Sequence, residues 1–179
     1  KTKSLALNIS KVTAAVVAAK KVGSVIGGWI KESNDYVENL NLFTVSMGQY
    51  ANEAQNYAEI VGDAMGIDPS KWMRYQGVFM TLATGFGVAG DRAAVMSRNL
   101  TQLSYDISSF YNKSFEESMN AIRSGFSGEI EPVRNLGYDL SQAKLQAIAL
   151  ENGITKAFSA MTQAEKSQLR YIALMTQVT

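Results

Sequence analysis

Apolar residues recur along most of the chain at intervals of three and four, the spacing of one face of a helix. Leu5, Ile9, Val12, Val16, Ala19, Val22, Ile26 and Trp29 place a first helix over residues 4–31. The capping cluster Ser33-Asn34-Asp35 precedes a second face of Tyr36, Val37, Leu40, Phe43 and Met47, with Gly48 as a break or kink. Tyr50, Ala54, Tyr57, Ala58, Val61 and Met65 carry the pattern to Gly66. Asp68-Pro69 then joins a capping aspartate to a proline whose missing N–H costs little in a first helical turn. Trp72, Tyr75, Phe79 and Leu82 line the helix that follows. The next begins at Gly90 or Asp91, buries Met96, Leu100, Leu103, Ile107, Phe110 and Tyr111, and ends at Asn112-Lys113. No alternating β-branched run bounded by hairpin turns occurs. The expected fold is all-α, a multi-helix bundle with short loops, with residues 4–31 either packed on it or extended.

The most strongly punctuated stretch is Ser114 to Gly153. Ser114 and Glu117 form an S-x-x-E capping box, and Phe115, Met119 and Ile122 share a face. Gly125 is expected to stop that helix, with Phe126 folding back onto its last turn. A second short helix holds Ile130, Val133 and Leu136, with Pro132 in or near its first turn, Gly137 as its stop and Tyr138 as the apolar follow-on. Ser141 caps a third, flanked by Leu140 and Leu145 at the spacing of a hydrophobic staple, and Asn152-Gly153 ends it. Ile154 to Met161 reads as a short amphipathic piece. Thr162 and Glu165 make a second capping box before Leu169, Ile172 and Met175.

Composition changes this picture in three ways. Charged residues are 18% of the chain, below the usual roughly 25%, so some surface is expected to be covered by a partner. The chain starts at Lys1 and stops at Thr179 inside a helical pattern, and we expect a region of a longer protein. The net charge of +1 hides an asymmetry. Residues 1–31 contain Lys1, Lys3, Lys11, Lys20, Lys21 and Lys31 and no acid, so residues 1–66 read as N-terminal helices with a cationic first member and 67–179 as a helical core.

Chemistry is constrained by what is missing. There is no histidine and no cysteine, which removes imidazole and thiolate catalysis, their metal sites and disulfides. Glu116, Glu117, Glu129 and Glu131 cluster as a paired-carboxylate hydrolase would require, but acids at helix N-termini are explained by capping and the helix dipole. Gly85 to Gly90 matches G-x-G-x-x-G without a preceding strand, so it reads as a linker between helices. We therefore expect no enzyme, and no catalytic, cofactor-binding or metal-binding residue. Six lysines spread over residues 1–31 make a diffuse patch, which excludes sequence-specific nucleic-acid recognition. Lys20 and Lys21 in mid-helix argue against a membrane span over residues 4–31. That cationic helix and the uncharged stretch 75–90 motivate an alternative, a membrane-active helical module that inserts into or permeabilises a host envelope.

Three segments carry a family resemblance. Met96 to Asn112, MSRNLTQLSYDISSFYN, resembles the pattern S-x-x-L-T-x-L-x-x-D-x-A-S-F-Y-N of bacteriophage tail tape-measure proteins. Within Ser114 to Gly153, Ile122-Arg123-Ser124-Gly125 leads into Ser127-Gly128-Glu129, and Glu131-Pro132-Val133-Arg134 leads to Leu136-Gly137 and then LSQAKLQAIALENGI. The third segment is Met161 to Tyr171, MTQAEKSQLRY. The resemblance spans about Trp72 to Thr179, with order and spacing kept. Phe126 stands where the family has leucine and Ser108 where it has alanine, both conservative in size or polarity. The resemblance implies a structural protein of the virion, in the tail lumen or tail tip, made in the host cytoplasm during assembly. Such proteins set tail length and are expelled during genome ejection. It further implies tail-tube and tail-tip (baseplate hub) proteins as partners, a homo-oligomer, and contact with the host membrane. Even as one continuous helix, 179 residues would span only about 270 Å at 1.5 Å per residue, so the chain would be one region of such a protein.

Overall fold

Proline at the head of two helices and a left-handed residue just past the end of nearly every one set the course of the chain. The computed structural model describes residues 34–177. In order these form α1 (Asn34–Met47), a 3-10 turn at Gly48–Tyr50, α2 (Ala51–Met65), α3 (Pro69–Gly85), α4 (Gly90–Tyr111), α5 (Phe115–Ser127), α6 (Glu131–Arg134), α7 (Gln142–Glu151), a 3-10 turn at Phe158–Ala160, and α8 (Gln163–Thr176). No strand occurs among the described residues, and the fold is all-α as the periodicity predicts. The reading of residues 4–31 as a lysine-bearing helix, the cap at Ser33-Asn34-Asp35, and the facing of Tyr36, Val37 and Leu40 lie outside the described residues and side chains.

The chain divides into two compact units that meet at Thr81 and Leu82, inside α3. In the first, Phe43 and Met47 of α1, Ala54, Ala58 and Val61 of α2, and Trp72, Met73 and Phe79 of α3 are buried. Gly48, with φ of +53°, sits at the break between α1 and α2 that its position predicts. The α2–α3 turn is tight: a Cβ at Gly62 would lie 2.6 Å from the Pro69 ring. Asp68 caps α3 as expected, its carboxylate accepting from the Ser70 N–H at 2.9 Å. The Trp72 indole N–H, fully buried, donates to the Gln76 side chain one turn on at 2.9 Å, which removes the penalty of an unmatched donor. Met65 is exposed, because it occupies the last turn of α2 before Gly66.

In the second unit α8 packs on α4, α5 and α7, and α5 packs on α4 and α6. Helix α4 buries polar residues beside apolar ones: along with Ala93, Met96, Leu100, Leu103 and Ile107 it encloses Ser97, Thr101, Gln102, Ser104 and Asp106. Small hydroxyl residues suit such a position because they bond back to their own helix. Thr101 donates to the Ser97 carbonyl and Ser104 to that of Leu100, each at 2.8 Å. Phe110 and Tyr111, expected to be buried, are 42% and 43% exposed. They sit in the last turn of α4, where Tyr111 turns its hydroxyl to the Leu136 carbonyl at 2.8 Å and its ring meets Phe110 edge-on. Residues 154–161 correct another expectation: they form one 3-10 turn rather than an amphipathic piece, and residues 151–157 are all exposed. Gln146 ties them to α7, accepting from the Phe158 N–H at 2.7 Å and donating to the Lys156 carbonyl at 3.3 Å.

Both capping boxes form. The Ser114 hydroxyl accepts from Glu117 N–H at 3.2 Å while the glutamate accepts from Ser114 N–H at 3.0 Å. Thr162 and Glu165 do the same at 3.2 and 2.6 Å. Replacing Thr162 by alanine is expected to lower stability by about 1 kcal/mol, read as a shift of the denaturation midpoint. The Glu165 carboxyl is held below its ordinary value of 4.5, chiefly by the Lys156 ammonium and then by the Thr162 N–H. The stability it contributes is complete above that ordinary value and is lost as pH falls through the depressed one. Glu165→Gln should therefore flatten the acid side of the stability profile, measured by denaturation at a series of pH values.

Candidate docking element

The expectation of a glycine stop at Gly125 fails, and the reason defines the element. Helix α5 runs on to Ser127, carrying Gly125 and Phe126 inside it, both buried. Gly128, with φ of +108°, is the residue that ends the helix. Its N–H bonds to the Gly125 carbonyl at 3.1 Å, and the Glu129 N–H bonds to the Ser124 carbonyl at 2.9 Å, the paired bonds of a Schellman ending. Local sequence offers either glycine as a stop; burial decides between them. Phe126 is fully buried and stacks obliquely on Phe86 with ring centres 5.8 Å apart. Such a side chain is worth roughly 1.5–3 kcal/mol when removed from water. Gly125 serves packing instead: a Cβ there would lie 2.6 Å from Val133 Cγ1 and 3.1 Å from Leu140 Cδ1. Its missing side chain lets α6 and the following segment close onto α5.

The rest of the element follows its punctuation. Pro132 lies in the first turn of α6, and Val133, fully buried, is the residue the four-residue helix delivers to Gly125. After Gly137 the Tyr138 N–H bonds to the Val133 carbonyl at 3.1 Å, and the Tyr138 side chain is buried as expected. Ser141 caps α7, accepting from Lys144 N–H at 3.3 Å, with Leu140 and Leu145 both buried at staple positions. After Asn152-Gly153 the Ile154 N–H bonds to the Ala149 carbonyl at 2.8 Å. Gly125 thus lies in the interior, and Gly128, Pro132 and Gly137 remain as corners of the folded element.

The four glutamates are brought to no common cleft among the described residues. Each is exposed. Glu117 is taken up by the Ser114 cap, whose hydrogen bonds hold its carboxyl below the ordinary range. Glu131 pairs with Arg134 on its own helix, an exposed ion pair that contributes little. No group of three or more metal-ligating side chains occurs among the described residues.

Three features of the element were not anticipated. The Gln177 amide clamps Asp139, accepting from its N–H at 2.9 Å and donating to its carbonyl at 2.8 Å. Arg170 of α8 lays its guanidinium against Gly128, where a Cβ would come within 2.8 Å of Nη2, and burial lowers its pKa. Asp106 of α4 is 5% exposed. Its Oδ1 accepts from the Gln102 amide at 3.0 Å, and Oδ2 is buried without a hydrogen-bond partner. Burial pushes its pKa from 3.8 up to about 6, with the Gln102 bond opposing. The Tyr138 phenol is raised by its own burial and by the nearby Tyr111 and Asp106. Glutamine clamps across distant positions leave no trace in periodicity. Asp106 did leave one, since a carboxylate three residues after Leu103 and one before Ile107 falls on the buried stripe.

Comparison of the chain with protein families, with curated proteins and with solved structures finds no match.

Gly125→Ala separates a packing role from a conformational one. Alanine inside a helix would by itself stabilise by about 1 kcal/mol. Overpacking against Val133 is expected to outweigh this and give a net loss of about 1–2 kcal/mol in chemical denaturation. Adding Val133→Ala should then cost less than it does in the parent chain, the non-additivity expected of touching residues. A stabilised Gly125→Ala protein would refute the close approach.

Proposed function

We propose that this chain is a region of a phage tail tape-measure protein, a non-enzymatic structural component that acts in tail assembly and length determination and is expelled during genome ejection. The observation that supports the reading most is that the three segments bearing the resemblance are successive parts of one compact unit. Met96 to Asn112 falls in α4 and its terminal residue, Ser114 to Gly153 forms α5 to α7, and Met161 to Tyr171 leads into α8. The glycines and proline that carry the resemblance are also the residues whose backbone or missing side chain shapes that unit. In this reading the element 114–153 presents its exposed polar residues, Glu116, Glu129 and Glu131 among them, to tail-tube or tail-tip proteins, in a homo-oligomer inside the tail lumen or at the tip.

The alternative, a membrane-active module, loses one of its two motives. No helix among the described residues is long and apolar enough to cross a membrane. In the uncharged stretch 75–90, Tyr75, Phe79, Met80, Ala83 and Val88 are already buried within the fold. What remains of that reading rests on the lysine-bearing residues 1–31, and leakage from anionic vesicles is its direct assay.

Cryo-EM of intact tails containing the parent protein tests the leading reading. Density for these residues is expected in the tail lumen or tip. Their location elsewhere in the virion, or their absence from purified tails, would overturn it.

A further inference from the structure

We propose that the outer face of α1 around Leu42 and Val45 is the seat of this chain's own residues 4–31, returning antiparallel along that helix. Spacing separates two rows of positions on α1. Phe43 and Met47 lie on the inner row and are buried. Asp35, Glu38, Leu42 and Val45 follow one another at intervals of three and four, so they occupy a second row. Its two aliphatic side chains stand in water: Leu42 is 60% exposed and Val45 85%. A single exposed leucine is ordinary, but two aliphatic residues one turn apart, on a helix whose other face is already buried, make a second apolar face.

Charge, pattern and reach select the occupant. Residues 32–70 carry seven acids, from Glu32 to Asp68, and no lysine or arginine, whereas residues 1–31 carry six lysines and no acid. Glu53 and Glu59 are exposed on α2, which packs beside α1. A field of that sign attracts a cationic segment and opposes a second copy of the same face. In the segment itself Val12, Val16, Ala19, Val22, Ile26 and Trp29 recur at three and four, and Lys11, Lys20 and Lys21 each adjoin a member of that stripe. An apolar stripe edged by ammonium groups complements an aliphatic row that begins with two carboxylates. Only Glu32 and Ser33 separate Lys31 from Asn34, where α1 begins. So short a link makes consecutive helices antiparallel neighbours. At equal rise along both, Lys31 comes beside Asp35 and Val22 comes level with the turn from Leu42 to Val45. The tether also gives the segment a high effective concentration at that face, which a free partner lacks. The contact is independent of the tail reading.

The test uses the whole 179-residue chain, which has no native cysteine to compete for a label. A nitroxide is attached through Asn41→Cys, an exposed position next to Leu42, and the amide signals of residues 4–31 are read by NMR. We expect broadening over residues 19–29 that is strongest near Val22 and fades towards Ser4. In chains without the label, trypsin cleavage after Lys20 and Lys21 reports how often the segment leaves its seat. Val45→Lys removes one aliphatic contact and adds a like charge, and should accelerate that cleavage roughly tenfold. At a residue as exposed as Val45 the same change would leave the rate unaltered if nothing covered it. Absence of broadening in residues 4–31, or equal cleavage rates in the two chains, overturns the proposal. So does equal broadening in a mixture of nitroxide-bearing chains with label-free isotope-enriched ones, which gives the face to a second copy.

Discussion

The hydrogen bond on which the other contacts depend runs from the N–H one residue past a left-handed position back to the carbonyl five residues earlier. It closes six consecutive helix ends, from Ile67 to Gly62 at the end of α2 through Ile154 to Ala149 after α7. Each bond satisfies a carbonyl that a helix end would leave orphaned, and each also fixes the angle at which the chain departs. Exit angles set this way allow short links: Asn112 to Ser114 joins α4 to α5, and residues 128–130 join α5 to α6. The one left-handed residue among these that is not glycine is Asn112, with φ of +51°, and asparagine tolerates that region better than other side chains. A bundle of short helices with short links has little freedom left once its corners are specified. The packing of α8 across α4, α5 and α7 then follows from where those corners put its neighbours.

Close approach is the second constraint, and it acts where the corners cannot. Helix α6 has a single turn and cannot hold its place by its own hydrogen bonds. What holds it is Val133 seated against Gly125, with Leu140 beside it. A glycine in mid-helix weakens α5 by about 1 kcal/mol relative to alanine. The burial of Val133 and the full burial of Phe126 one residue further on offset that loss. Gly125 therefore makes sense only in the folded unit, whereas Gly128 makes sense from local backbone geometry alone.

That contrast explains what could and could not be read in advance. Caps are local: Ser114 with Glu117, Asp68 with Pro69, Ser141 between its leucines and Thr162 with Glu165 were legible because a few residues contain the whole interaction. Faces were mostly legible, since Met96, Leu100, Leu103 and Ile107 lie where a 3.6-residue period puts them. The pattern failed at its ends. Phe110 and Tyr111 continue the stripe in spacing but sit in the last turn of α4, and Met65 repeats the case in α2. Position within a helix, not spacing, decides burial there. Contacts between distant positions were invisible: Gln177 on Asp139, Asn99 on Tyr171 and Gln146 on Phe158 depend on which helices become neighbours.

The acids of this chain sort by burial and not by clustering in sequence. Glu116, Glu117, Glu129 and Glu131 stand close together along the chain, yet all are exposed, and Glu117 and Glu131 are engaged with Ser114 and Arg134. Asp106 stands alone in sequence and has the opposite surroundings: enclosed, and bonded once, to the Gln102 amide of its own helix. A helix that needed only to be buried could have carried leucine there, at a gain in stability.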